Sequence, residues 1–310
     1  MPPPPSFPTP DAFRTGCMTF DLPSARLETS FLRGHEDSRT LVVWFHAALD
    51  RPAMAIPVFV GASAAYSGLA HQIAVADPTH DRNENIRAGW YMGDMDFDAQ
   101  SEISTFFRNL RKALNIERMI YVGASSGGFA ALHFSLLDDG SCALALQPQV
   151  NAGAYFYFLK YVSLAWPGHS IEQVGAARCV DLNKRYQNGF RNTVIYLQST
   201  ADNEHFLGHM MPFFSAAAKA GGKAGGLISH VDYWGQLGHA PIPPNVVDLW
   251  LRSAITAPSL SAEDILQTCH TLRQQQQRIT ASPATERPAK ALDPAQIALA
   301  DRIRAFQLGQ

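Results

Sequence analysis

Tyr121-Val122-Gly123-Ala124-Ser125-Ser126-Gly127-Gly128-Phe129-Ala130-Ala131-Leu132 is the stretch on which the fold turns. An apolar strand, residues 119–122, runs into a turn of small residues and out into a segment of helical composition, with Gly-x-Ser-x-Gly centred on Ser125. A serine on so sharp a strand-to-helix turn must adopt a strained backbone, and its neighbours two positions away come too close to tolerate side chains. Its hydroxyl then stands at a helix N-terminus, where free N–H groups and the helix dipole favour negative charge. The alternative is a glycine-rich turn that merely lets helix and strand pack closely.

Working outward, the same uninterrupted apolar signature recurs at residues 41–45, 72–76, 143–146, 193–197 and, less purely, 227–233. Strands covered on both faces require it. Between them lie segments of helical period, such as residues 102–114, where Ile103, Phe106, Leu110 and Leu114 share one stripe. Residues 15–20 and 26–33 read as an antiparallel entry to the sheet. Strand alternating with helix predicts an α/β domain over 15–256, with a mostly parallel central sheet and helices on both faces. It is preceded by a Pro-rich segment, 1–14, and followed by a helical extension, 257–310. In that extension residues 261–277 and 295–308 read as helices joined by a linker at 279–294, and they offer a surface for a possible homodimer.

Composition narrows the function. The chain has 310 residues, 46% apolar and 17% charged, with a net charge of −2. Binding nucleic acid through bulk cationic charge is excluded, because neutralising a phosphate backbone needs clustered Lys and Arg. Four scattered cysteines, Cys17, Cys142, Cys179 and Cys269, give neither a disulfide framework nor zinc spacing. No signal-peptide pattern and no membrane-spanning run is visible, so a cytoplasmic location is expected. Neither Gly-x-Gly-x-x-Gly after a strand nor a P-loop is present, and no cofactor is expected. Asp94-Met95-Asp96-Phe97-Asp98 imitates the start of a calcium loop, but Ala99 holds the glycine position and Thr105 the closing one. A solvated acidic loop is the better reading, and no metal is expected.

On the residues around Ser125 the chain resembles the α/β-hydrolase superfamily over roughly residues 41–256. That resemblance implies a serine, acid, histidine order along the chain. Asp202, in the turn after the strand at 193–197, is the candidate acid, with Glu204 as runner-up; a helix N-cap is the competing reading of Asp202. His239, in a Gly- and Pro-bounded loop after the strand at 227–233, has the chain position required of the base. The resemblance also implies an oxyanion hole from the Ser126 N–H and an N–H of Ala47 or Ala48, where many relatives carry glycine. The implied activity is cleavage of a carboxylic ester through an acyl-enzyme.

Residues 151–192 are too long for a simple crossover and carry Tyr155, Phe156, Tyr157, Phe158, Tyr161, Trp166, Tyr186 and Phe190. They read as a cap over a pocket or as extra core packing. His46, Tyr155, Phe156, Tyr157 and Trp234 are candidate substrate contacts. The insertion is net +3, with Lys160, Arg178, Lys184, Arg185 and Arg191 against Glu172 and Asp181, which suits an anionic substrate or a solvated surface. Gly89-Trp90-Tyr91-Met92-Gly93, the Ser125 turn, and Asn151 after Pro148-Gln149 are similar to α/β-hydrolase-like proteins of bacterial polysaccharide pathways. Besides a small-molecule or glycan ester hydrolase, the sequence therefore admits an acyltransferase or deacylase acting on a saccharide. It also admits a non-catalytic accessory protein that binds a glycan or partner.

Overall fold

The computed structural model describes residues 7–50, 54–221 and 226–281. By contact the chain divides into two compact units, residues 1–270 and 271–310. Of the second, the described part is the end of one helix. The linker beyond 281 and the helix expected at 295–308, with the dimer surface assigned to it, lie outside the described residues, as do residues 1–6.

Each apolar run becomes a strand of one sheet: β1 (Gly16–Asp21), β2 (Arg26–Leu32), β3 (Thr40–Phe45), β4 (His71–Val75), β5 (Arg118–Ala124), β6 (Cys142–Leu146), β7 (Thr193–Ser199) and β8 (Leu227–Asp232). Their order is β1-β2-β4-β3-β5-β6-β7-β8. β1, β2 and β4 pair antiparallel, and every pair from β4 to β8 is parallel. All residues of β3, β4 and β7 are buried, which is why their sequences do not alternate. At the edges the rule changes: β2 alternates buried and half-buried positions, and β8 is mostly open.

The helices are α1 (Ala99–Ala113), α2 (Ser126–Leu136), α3 (Phe158–Ala165), α4 (Ile171–Ala177), α5 (Asn183–Tyr186), α6 (Asn203–His205), α7 (Met211–Lys219), α8 (Pro244–Thr256) and α9 (Ala262–Ala281). One sheet face, through Val43, Tyr121, Ala143, Val194 and Tyr196, carries α1, α2 and the insertion in two continuous apolar clusters. On the other face Val42, Ile120, Leu144 and Ile195 are also fully buried, and α8 packs there against β6. Among the described residues no helix is long and apolar enough to cross a membrane.

The helical stretch that follows Asp202 is broken, because a π turn, Phe206–Met210, separates α6 from α7. Pro212, in the first turn of α7, lacks an N–H and crowds the carbonyl four residues back, so a wider turn relieves the clash. The acidic loop is solvated in part, with Met95 and Asp96 exposed, while carboxylates on either side of them are tied into the structure. Asp77 accepts from the Thr79 and Tyr91 N–H groups, Asp94 pairs with Arg82 at 3.2 Å, and Asp98 caps α1 through the Ser101 N–H.

The aromatic residues of the insertion divide between core and surface. Phe158, Tyr161, Trp166 and Tyr186 are buried in the core with Val194, Tyr196 and Phe213. Tyr155, Phe156 and Tyr157 stay near the surface, their rings 4.1–5.7 Å apart.

Candidate active site

The carboxyl ends of β3, β4, β5, β6, β7 and β8 form one rim, and the segments leaving it carry the polar groups of the site. In open parallel sheets this is where ligands bind. β5 ends at Ala124, and Ser125 follows with φ 53° and ψ −117° before α2 begins at Ser126. Holding a serine there costs about 1–3 kcal/mol, which the surrounding packing must supply. The flanking glycines show how tight that packing is. A Cβ on Gly123 would sit 2.2 Å from the Gly127 carbonyl oxygen, and one on Gly127 would sit 2.5 Å from the Phe45 oxygen. Both contacts are backbone against backbone, so neither can give.

Close approach at Gly127 also brings the start of α2 against the end of β3. The Ser126 N–H, at the first helical position, has no intrahelical partner. Among the described residues the Ala47 and Ala48 N–H groups donate no hydrogen bond either. The loop that holds them is firmly built. His46 is buried; its Nε2 accepts from the Asp77 N–H at 3.0 Å, which leaves Nδ1 to donate to the Ala47 carbonyl at 2.7 Å. Burial lowers the pKa of that imidazole, opposed by the Asp77 charge. With both nitrogens bonded to backbone, His46 shapes this loop. Asp50, Arg87 and Tyr157 brace it to the insertion: Arg87 donates to both side chains.

Asp202 follows β7 and is 2% exposed. Its two readings are compatible, since Oδ1 caps α6 by accepting from the His205 N–H at 3.2 Å while Oδ2 meets His239 Nδ1 at 2.5 Å. Glu204 points elsewhere: it is exposed and makes no bond to either histidine. A second imidazole also reaches the carboxylate, with His205 Nδ1 at 3.1 Å from Oδ2 and its ring stacked on His239 at 3.9 Å between centroids. An ionised carboxylate only accepts, so both Nδ1 atoms carry protons and donate to it. Burial would raise the Asp202 pKa, but the bonds from His205 and His239 overcome it and hold the carboxyl well below its ordinary range. These three side chains bring ligand atoms within 4.8 Å of one another.

The Ser125 hydroxyl is held from another side. Gln149, fully buried, donates from Nε2 to Ser125 Oγ at 3.0 Å and accepts from Trp90 Nε1 at 2.6 Å. The indole N–H can only donate, which fixes the amide with its NH2 toward the serine. No hydrogen bond joins Ser125 to His239 in this arrangement. Tyr155 stands between the two sets. Its ring lies 6.0 Å from that of His205, burial and the Glu204 charge raise its pKa to about 12, and the Gln149 amide opposes that rise. Phe156 is 60% exposed, and Trp234, half-buried, packs edge-on against His230.

The acid and base loops are tied together. The Gly238 N–H donates to the Ala201 carbonyl at 3.0 Å, and Gln147 Nε2 donates to the Ala240 carbonyl at 2.8 Å. Gln147 itself sits at φ 43°. Sequence reasoning missed Gln147, Gln149 and His205 as site residues. An i,i+3 Asp-His spacing at a helix start could have flagged His205; the glutamines carry no local signal.

No family model and no curated protein matches this sequence. Solved structures do. The chain is similar to the capsule O-acetyltransferase of Neisseria meningitidis serogroup A, with 14% identity and a TM-score of 0.56 over 76% of this chain and 93% of that one. It is also similar to the Glycosylation Associate Protein complex from Streptococcus agalactiae, with 15% identity and a TM-score of 0.51 over 79% of this chain. The acylaminoacyl peptidase of Pyrococcus horikoshii aligns with 12% identity and a TM-score of 0.51 over 86% of this chain. This chain spans under half the length of the latter two. With the sheet order above, these likenesses show an α/β-hydrolase fold.

Proposed function

We propose that this α/β-hydrolase-fold protein is a serine-dependent acyl-transfer enzyme, cleaving a carboxylic ester with Ser125 as nucleophile, His239 as general base and Asp202 as the acid that orients it. The fold and its neighbours support a hydrolase-like or acyltransferase-like enzyme; the residue roles rest on the rim geometry. The observation that carries them is the 2.5 Å contact from buried Asp202 to His239 Nδ1, which leaves Nε2 free to take a proton.

In the reaction Ser125 Oγ leaves its bond with Gln149 and passes its proton to His239 Nε2 as it attacks the acyl carbonyl. Asp202 stabilises the imidazolium that forms. The Ser126 N–H and that of Ala47 or Ala48 receive the oxyanion. His239 then returns the proton to the leaving oxygen, and water, activated by the same imidazole, releases the acyl group. His205 acts as a positioning residue, holding the carboxylate and lying flat against the base.

Transfer to a saccharide hydroxyl is the second reading. One neighbour that this chain covers almost end to end is described as a capsule O-acetyltransferase, and the His239 side chain, 38% exposed, is open to an acceptor. Turnover of an activated short-chain ester, with and without saccharide acceptors, tests both readings. Free acid that disappears in Ser125→Ala supports hydrolysis, and acyl product diverted to the acceptor supports transfer. A folded protein inert in both assays leaves a binding role.

A further inference from the structure

The insertion frames a second concave surface away from Ser125. A groove of about 920 Å³ lies between α1, the distal part of α2 and the α4–α5 segment. Its lining residue His133 is seven positions along α2 from Ser126, about 10 Å at 1.5 Å per residue, and Leu136 and Leu137 lie farther still. Four guanidinium groups line it, Arg108, Arg178, Arg185 and Arg191, against a single carboxylate, Asp98.

Only one of those charges is well answered from within. Arg178, its side chain 9% exposed, faces Asp98 at 3.5 Å and donates to the Met92, Ala177 and Asp94 carbonyls. Arg108 meets the Thr105 hydroxyl. Arg191 has Asp139 at 3.7 Å, with both side chains 72% exposed, a pairing worth roughly 0–1 kcal/mol. Arg185 forms no ion pair among the described residues. Its charge is nevertheless felt inside: burial first, and then Arg185, push the pKa of His133 down to about 3. His133 Nε2 has no hydrogen-bond partner. Three lightly compensated cations thus line one concavity, and an anion seated there meets positive charge on several sides.

We propose that this groove binds a ligand carrying two or more closely spaced phosphate, sulfate or carboxylate groups, at a place separate from the catalytic rim. Guanidinium groups match such oxyanions in paired hydrogen bonds. The volume exceeds what one small oxyanion needs and falls within the range of ordinary ligand pockets. The adjoining groove, about 760 Å³, shares Arg178 and Arg185 but adds Glu172 and Asp181 beside Lys184, so the cationic stretch ends there. None of this depends on Ser125 being a nucleophile.

Calorimetric titration of the full chain with inorganic tripolyphosphate and, separately, with sucrose octasulfate tests the proposal. We expect saturable binding of at least one probe, weakening as salt rises. Affinity should fall at least tenfold in Arg185→Glu and in Arg108→Glu, fall less in the neutral Arg185→Gln, and stay unchanged in Arg39→Glu, which alters an exposed pair with Glu117 outside the groove. Preference for tripolyphosphate points to a phosphorylated ligand, and preference for the octasulfate to a sulfated saccharide. Absence of saturable binding by both probes overturns the proposal. So does undiminished binding in Arg185→Glu and Arg108→Glu proteins whose circular dichroism matches the wild type.

Discussion

The turn that carries Ser125 and the loop that carries His239 face the same rim but are held by opposite means. Ser125 is 5% exposed, its backbone is forced into a rare conformation, and the glycines around it touch other backbone at distances no side chain allows. His239 lies in an irregular stretch between β8 and α8, with its side chain 38% exposed. Three hydrogen bonds hold it: one to Asp202, and one each at the neighbouring Gly238 and Ala240. A nucleophile has to be aimed to within a fraction of an ångström. A base that moves a proton over one hydrogen bond tolerates a looser mount, provided that its tautomer is fixed. On the proposed reading, rigidity is placed where attack geometry demands it, and the carboxylate supplies the rest.

The comparison can be broken most severely through the acid. Asp202→Asn keeps an acceptor for the helix cap but can present its NH2 to His239, favouring the wrong tautomer; ester turnover should fall by about 10⁴-fold while the melting profile stays cooperative. A fall of less than about tenfold would remove Asp202 from the proposed mechanism.

Gly127→Ala attacks the rigid half. A methyl group 2.5 Å from the Phe45 oxygen must push α2 off β3, and urea denaturation should show a loss of about 3 kcal/mol or more. An equal substitution in the other half, Gly235→Ala, meets open space and pays only for its positive φ of 83°, on the order of 1 kcal/mol.

Acid sharpens the same contrast. His133, on α2, is buried, and burial with the Arg185 charge holds its pKa down at about 3, below the unfolded value near 6.5. Between those two values the unfolded chain binds a proton that the folded chain refuses, so stability falls as the pH drops through that window. By pH 4.5 the loss from this one group is about 3 kcal/mol. Denaturation curves at pH 7 and 4.5 should therefore converge by that amount in His133→Gln relative to wild type. The smallest effect belongs to Gln147→Ala, which frees one anchor of the His239 loop and should lower turnover by roughly tenfold without changing stability by more than about 1 kcal/mol.

Much of the fold was legible because buried parallel strands announce themselves as unbroken apolar runs, and the boundaries in the structure differ from the sequence reading by a residue or two. The Ser125 turn was legible for the same kind of local reason, since glycines at 123 and 127 have no other steric purpose. The residues that hold the site together were not. Gln147 and Gln149 act through partners 52 and 59 positions away, Ser199 and Trp90, and nothing local marks them. His205 lies in α6, yet its ring shares the Asp202 carboxylate. In the insertion, aromatic content could not separate core from surface, because Tyr161 and Tyr155 are the same residue type in opposite settings.

Mass spectrometry of the intact protein after exposure to a fluorophosphonate tests the central claim most directly. The account predicts one adduct, carried by the peptide containing Ser125 and absent from a folded Ser125→Ala protein. A folded wild type that stays unmodified, or a label that persists in Ser125→Ala, would contradict it.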